Sequence, residues 1–166
     1  ARLHAFSATF QPPADFTTRR MQHYLSRGEE HALFNDDNRP RFAPGSLPVF
    51  EAVHQRVMAA FKQRYTASAC PIVIHNDLWH GNIKVHRGRL LPLDFEDTLW
   101  GFPVQDIAMA MQDLMTDVAP GQYEPLLDAF RRGYESILPW PEAYEGEMDL
   151  FRAGRVLWVA NYVACF

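Results

Sequence analysis

Apolar residues recur at a helical period in several long stretches of this chain and give way, in its middle, to short β-branched runs. Leu3, Phe6 and Phe10 fall on one face, which predicts a helix over residues 1–10. Pro12 and Pro13 stop it, because proline lacks a donor and restrains the residue before it. Asp15 suits an N-cap, and a second helix is predicted over 16–27, ending at Gly28. Residues 35–48 hold three prolines, a glycine and several Asx residues and read as loop. Ser46 is the predicted cap of the next helix, 47–66, with Pro48 in its first turn and Phe50, Val53, Val57 and Phe61 on one stripe.

A break is expected over 67–71. Residues 71–75 then form a short β-branched run that reads as a buried strand. Residues 76–81 are a polar loop. Two strands, 83–86 and 90–95, flank Arg87, Gly88 and Arg89 as a hairpin. Residues 98–102 read as loop. Pro103 opens a helix over 103–116 whose predicted buried side carries Val104, Ile107, Ala108, Met111 and Met115. Helices over 121–138 and 143–166 follow, the last apolar on most sides and expected to be deeply buried. The layout is α+β: six helices around a three-strand insertion, in a single domain over 1–166.

Composition narrows the function. The chain has 166 residues, enough for one domain with a proper core. Its formal net charge is -4, which gives no basic footprint, so a nucleic-acid partner is not expected. No apolar run reaches the ~20 residues that span a bilayer, so no membrane partner is expected either. The two cysteines, Cys70 and Cys165, are too few for a disulfide framework and read as reduced thiols of a cytoplasmic protein. Neither end carries the usual helix start or stop signals, so the chain is expected to be a piece of a longer protein.

The polar residues that carry chemistry cluster between Ile72 and Asp97: IVIHNDLWHGNIKVHRGRLLPLDFED. Phosphoryl transfer needs oxygen ligands for magnesium and a carboxylate that takes the proton of an attacking hydroxyl. Asp77 sits just past a buried strand, Asn82 at the start of the next, and Asp94 at the end of the hairpin. A hairpin returns the chain to its origin, so Asn82 and Asp94 can meet at one metal with Asp77 beside it. A lone loop Asp is usually a capping or turn residue. The ordered trio across a hairpin is far more specific.

The pattern HNDLWHGN…LDFED…QDIA resembles the catalytic segment of the aminoglycoside phosphotransferase and choline kinase-like family, where HGDLHxGN…DFxD…DLA is usual. Protein kinases carry the counterparts HRDxxxxN and DFG. GFPVQDIAMAM is most similar to the bacterial stress-response and homoserine-kinase-like branches. The resemblance implies the mainly helical C-terminal lobe of a protein-kinase-like fold. It implies Asp77 as catalytic base, Asn82 and Asp94 as magnesium ligands, His75 as a brace for the loop and Asp106 as the helix carboxylate that binds loop backbone. ATP is the implied phosphoryl donor, Mg2+ the implied cofactor, and a small-molecule hydroxyl the implied acceptor.

Departures matter too. Asn76 replaces the usual glycine, and Asn tolerates left-handed backbone. Trp79, not lysine, stands two residues after Asp77, against an ordinary protein Ser/Thr kinase loop. No Gly-rich loop or strand lysine is present, so the ATP-binding N-terminal lobe is expected to be missing and this chain alone to be inactive. One rival is a metal-dependent hydrolase using His75, Asp77, His80 and His86; it requires two or more histidines on one metal. Another is a non-catalytic scaffold, which the intact trio argues against. The acceptor is not legible: a small alcohol, an amino-alcohol or, in a bacterial Ser/Thr protein kinase of the same fold, a protein side chain all stay open; Asp97 and Trp100 are weak candidates for binding it, and Trp140 and Trp158 read as core or pocket.

Overall fold

The computed structural model describes residues 1–66 and 70–166. Among them are five α-helices, not six: α1 (Arg2–Thr9), α2 (Leu47–Thr66), α3 (Pro103–Asp117), α4 (Tyr123–Glu135) and α5 (Glu147–Ala164). Four short strands replace the expected three: β1 (Ile72–Ile74), β2 (Ile83–His86), β3 (Arg89–Pro92) and β4 (Leu99–Gly101). They form two separate antiparallel pairs, β1 with β4 and β2 with β3. β4 falls where a loop was expected, because three residues are too few to display a period. The break expected over 67–71 lies partly outside the described residues.

The core forms where α2, α3 and α5 meet. Val57 and Phe61 from α2, Ile107 and Met111 from α3, and Phe151 and Leu157 from α5 are all buried. Gly154 allows the close approach, since a Cβ there would lie 3.2 Å from Val57 Cγ1. α3 begins with Pro103 at a position that needs no donor, and Gln105 Oε1 accepts from the Phe102 amide at 2.7 Å. Arg64 closes the base of the bundle: its Nε lies 2.9 Å from Glu147 Oε1, and its guanidinium covers the Phe102 ring at 5.0 Å. Burial raises the Glu147 carboxyl, an effect that the Ala143 amide and Arg64 oppose.

Three helix expectations fail for physical reasons. No helix forms over 16–27; Asp15 lies in a turn instead of capping one. The Met21 amide donates to Trp100 O and the Trp100 amide to Arg19 O, both at 2.8 Å, so the segment runs beside β4. Farther along, Asn161 Oδ1 on α5 accepts from the Ala32 and Leu33 amides, each at 2.9 Å. These long-range partners satisfy the backbone, and helical propensity loses. In α1 the polar side faces inward: His4 and Ser7 are buried while Phe6 is 63% exposed. In α5, Val159, Tyr162 and Val163 remain exposed, so that helix is only half buried; Met115 on α3 is also exposed. Ser46 donates its hydroxyl to Ala43 O at 2.8 Å, shaping the turn before α2.

The hairpin turn is tighter than expected. Arg87 and Gly88 have φ of 49° and 71°, the two left-handed residues of a two-residue turn, so β3 already starts at Arg89. Cys70 and Cys165 are free and exposed. Among the described residues no helix is long and apolar enough to cross a membrane.

Candidate active site

The site begins where β1 ends. His75 and Asn76 are buried, and their backbone amides both donate to the Asp106 carboxylate of α3, at 3.1 and 2.9 Å. Asp106 is itself fully buried and also accepts from His4 Nε2 at 2.9 Å. Burial, and then the charge of Asp106, push Tyr134 up to about 12, so its hydroxyl stays protonated and donates to His4 Nδ1 at 3.0 Å. The chain Tyr134–His4–Asp106 thus grips the loop from behind. His75 Nε2 donates to Leu93 O at 2.9 Å, tying the loop to the far end of the hairpin.

Asn76 takes the left-handed conformation, φ 62°, and turns the chain so that Asp77 leaves the core. Asn82 closes the loop: its Nδ2 donates to Asp77 O at 2.9 Å and to Asp77 Oδ2 at 3.0 Å. The Leu93 amide donates to Asn82 O at 2.8 Å, so Asp94 follows directly on the backbone partner of Asn82. Asp94 has φ 62° and an exposed carboxylate with no ion-pair or hydrogen-bond partner among the described residues. An amide oxygen and an open carboxylate are the donor types that suit magnesium. His80 is instead exposed and pairs with Asp117 at 3.2 Å. Among the described residues no three His, Cys, Asp or Glu side chains converge as metal ligands, which leaves the hydrolase reading without its zinc cluster.

Two arginines outside the motif enter the site: Arg27, which sequence reasoning missed, and Arg155, which it read only as a charge opposing a polycationic acceptor. Arg27 Nη2 bridges Asp77 Oδ1 at 3.1 Å and Asp97 Oδ2 at 2.9 Å. Arg155 Nη2 lies 3.8 Å from the same Asp77 oxygen and 3.2 Å from Asp113 Oδ2. Both guanidiniums sit over the Trp158 ring, at 5.3 and 4.4 Å from its centroid. Nothing near Arg27 in the sequence marks it; only the failed helix over 16–27 carries it to the site. Asp97 therefore belongs to the site as a partner of Arg27. Trp100 points elsewhere, with its ring edge-on to Phe16 at 6.2 Å.

The segment carrying Arg27 rests on a histidine cluster. His23 lies 4.7 Å from His31 and 6.1 Å from His54, ring to ring, and Tyr24 donates its hydroxyl to His54 Nδ1 at 3.0 Å. Burial, then His31 and His54, push His23 down to about 4, against the pull of Glu29. Burial and His31 lower His54 as well. A depressed histidine makes the fold bind fewer protons than the unfolded chain, so stability is full above about pH 6.5 and falls toward about pH 4. The loss from His23 is on the order of 2 kcal/mol after screening. Urea midpoints measured at about pH 7 and about pH 4.5 should show this drop, and His23→Gln should shrink it. A drop of equal size in both proteins contradicts the assignment.

A model of the phosphotransferase enzyme family matches residues 1–140. A probable ketoamine kinase of Vibrio vulnificus (strain CMCP6) is 28% identical over 109 residues, covering 65% of this chain and 34% of that protein. An amicoumacin kinase in complex with AMP-PNP, Ca2+ and Ami superposes with a TM-score of 0.67 at 17% identity, over 99% of this chain and 48% of that one. A microcompartment-associated aminopropanol kinase gives 0.64 at 20% identity, over 98% and 50%. The chain thus spans about a third of the curated relative and about half of each solved structure, and it shares the kinase fold of those two. With the family model matching well over half of its length, the chain belongs to the phosphotransferase enzyme family.

Proposed function

We propose that the full-length protein transfers the γ-phosphoryl group of ATP to a hydroxyl of a small molecule. The observation that carries this reading is the pairing of Asp77 with Asn82 at 3.0 Å, on a loop whose backbone is fixed by Asp106, beside the hairpin end where Asp94 follows Leu93, the backbone partner of Asn82. Asp77 Oδ2 is held by Asn82; Oδ1, which Arg27 holds in this structure, receives the proton of the acceptor hydroxyl as its oxygen attacks the γ-phosphorus, the bond from that phosphorus to the bridging oxygen breaks and ADP leaves. Asn82 Oδ1 and the Asp94 carboxylate would hold Mg2+. The ion supplies charge neutralisation on the phosphates. Arg27 holds Asp77 Oδ1 and Asp97 together until the acceptor arrives.

The nucleotide and divalent cation in the amicoumacin kinase complex support the ATP and metal parts of the reading. The family and the kinase names among the relatives support a small-molecule acceptor over a protein Ser/Thr side chain. In this reading the nucleotide site is completed by a further lobe; that the chain covers only 48% and 50% of the two solved kinases supports this. Incubating the full-length enzyme with Mg-ATP and a panel of hydroxyl compounds, with products read by phosphorus NMR, tests the proposal. A phosphate monoester on at least one acceptor is the expected result. ATP hydrolysis alone, or a phosphorylated protein side chain alone, overturns it.

A further inference from the structure

Behind Arg27 and Arg155 lies a cavity of about 20 Å³, room for one non-hydrogen group. Phe61, Met109 and Phe151 supply apolar lining, and Asn76 is among the polar residues that line it. Asn76 is only 1% exposed, yet its Oδ1 has no hydrogen-bond partner among the described residues. Its Nδ2 makes one long contact, 3.4 Å to Ser26 Oγ. A buried acceptor left without a donor costs roughly 1–3 kcal/mol, so the cavity favours an occupant that donates. No carboxylate lines the cavity among the described residues, whereas two guanidiniums do. An ammonium group would find no counter-charge in the lining itself, because the carboxylates that pair with the two arginines, Asp77, Asp97 and Asp113, lie outside it. A neutral hydroxyl can donate to Asn76 Oδ1 and accept from a guanidinium at once.

The cavity and Asp77 share a wall. Arg27 Nη2 lies 3.1 Å from Asp77 Oδ1 and 3.5 Å from Asn76 O, and Asn76 is the residue before Asp77. We propose that this cavity is a subsite for a neutral hydroxyl of a polyhydroxyl acceptor, next to the hydroxyl that is phosphorylated at Asp77. The proposal rests on the kinase reading above and adds the class of acceptor. It also makes Asn76 a specificity residue. Glycine can adopt the same left-handed backbone as Asn76, so Asn76→Gly removes the oxygen without straining the loop.

Three matched three-carbon acceptors test it on the full-length enzyme with Mg-ATP: propylene glycol, isopropanolamine and isopropanol. The diol should exceed both others in kcat/KM by about tenfold or more. Asn76→Gly should bring the diol-to-isopropanol ratio close to one, and Asn76→Asp should shift preference toward the amine. A ratio unchanged by Asn76→Gly overturns the subsite and leaves a structural water as its only occupant. Failure of the kinase reading looks different, since no alcohol is then phosphorylated at all. Binding then decides the subsite without turnover: the Asn76 side-chain amide signal should shift with propylene glycol and not with isopropanol, and no shift with the diol overturns it.

Discussion

Replacing Asp77 by alanine in the full-length enzyme should lower kcat by about 10³-fold while nucleotide affinity stays within a fewfold of wild type. In the proposed reaction Asp77 is the carboxylate that the loop presents to the acceptor; its Oδ2 accepts from Asn82 Nδ2. Nothing in its surroundings makes it a fold determinant. It is part exposed, and Arg27 retains Asp97 when Asp77 is shortened. The thermal midpoint should therefore move little, because partly exposed ion pairs contribute about 1 kcal/mol or less. Single-turnover kinetics with saturating Mg-ATP separate the two effects. A variant with activity within tenfold of wild type would remove Asp77 from the chemistry.

Asp106→Ala should have the opposite signature: large loss of stability, with activity lost through misplacement of the loop. The carboxylate is wholly buried and accepts from the His75 amide, the Asn76 amide and His4. Removing it leaves three buried donors without partners, at about 4 kcal/mol in total once relaxation is allowed for. For a domain of this size that lowers the melting temperature by roughly 10 °C. Asp106→Asn keeps one acceptor oxygen and should lose about half as much. Thermal unfolding of wild type and both variants checks the order, and a midpoint unchanged in Asp106→Ala contradicts the bracing role.

The candidate loop was legible because its polar residues are local in sequence. Asp77 and Asn82 are five residues apart, and the hairpin that brings Asp94 back is announced by Gly88 between two apolar runs. α3 was legible because Pro103 marks its start and its apolar period is regular. What could not be read depends on partners far along the chain. Segment 16–27 has a helical pattern, but its backbone pairs with Trp100 and carries Arg27 to Asp77, fifty residues later in the sequence. His4 reads as the polar side of an amphipathic helix until Asp106 and Tyr134 are placed around it. The apolar tail of α5 promised burial because composition cannot say which side of a helix a neighbour covers.

The central claim is that the hairpin end holds a divalent ion through oxygen ligands beside Asp77. Mn2+ titrated into the full-length protein with a non-hydrolysable ATP analogue tests it by paramagnetic broadening. The account predicts that the Asn82 side-chain amide signal is broadened first and that Asp94→Ala abolishes the effect. Broadening centred on His75 and His80, or broadening at Asn82 that survives Asp94→Ala, would contradict it.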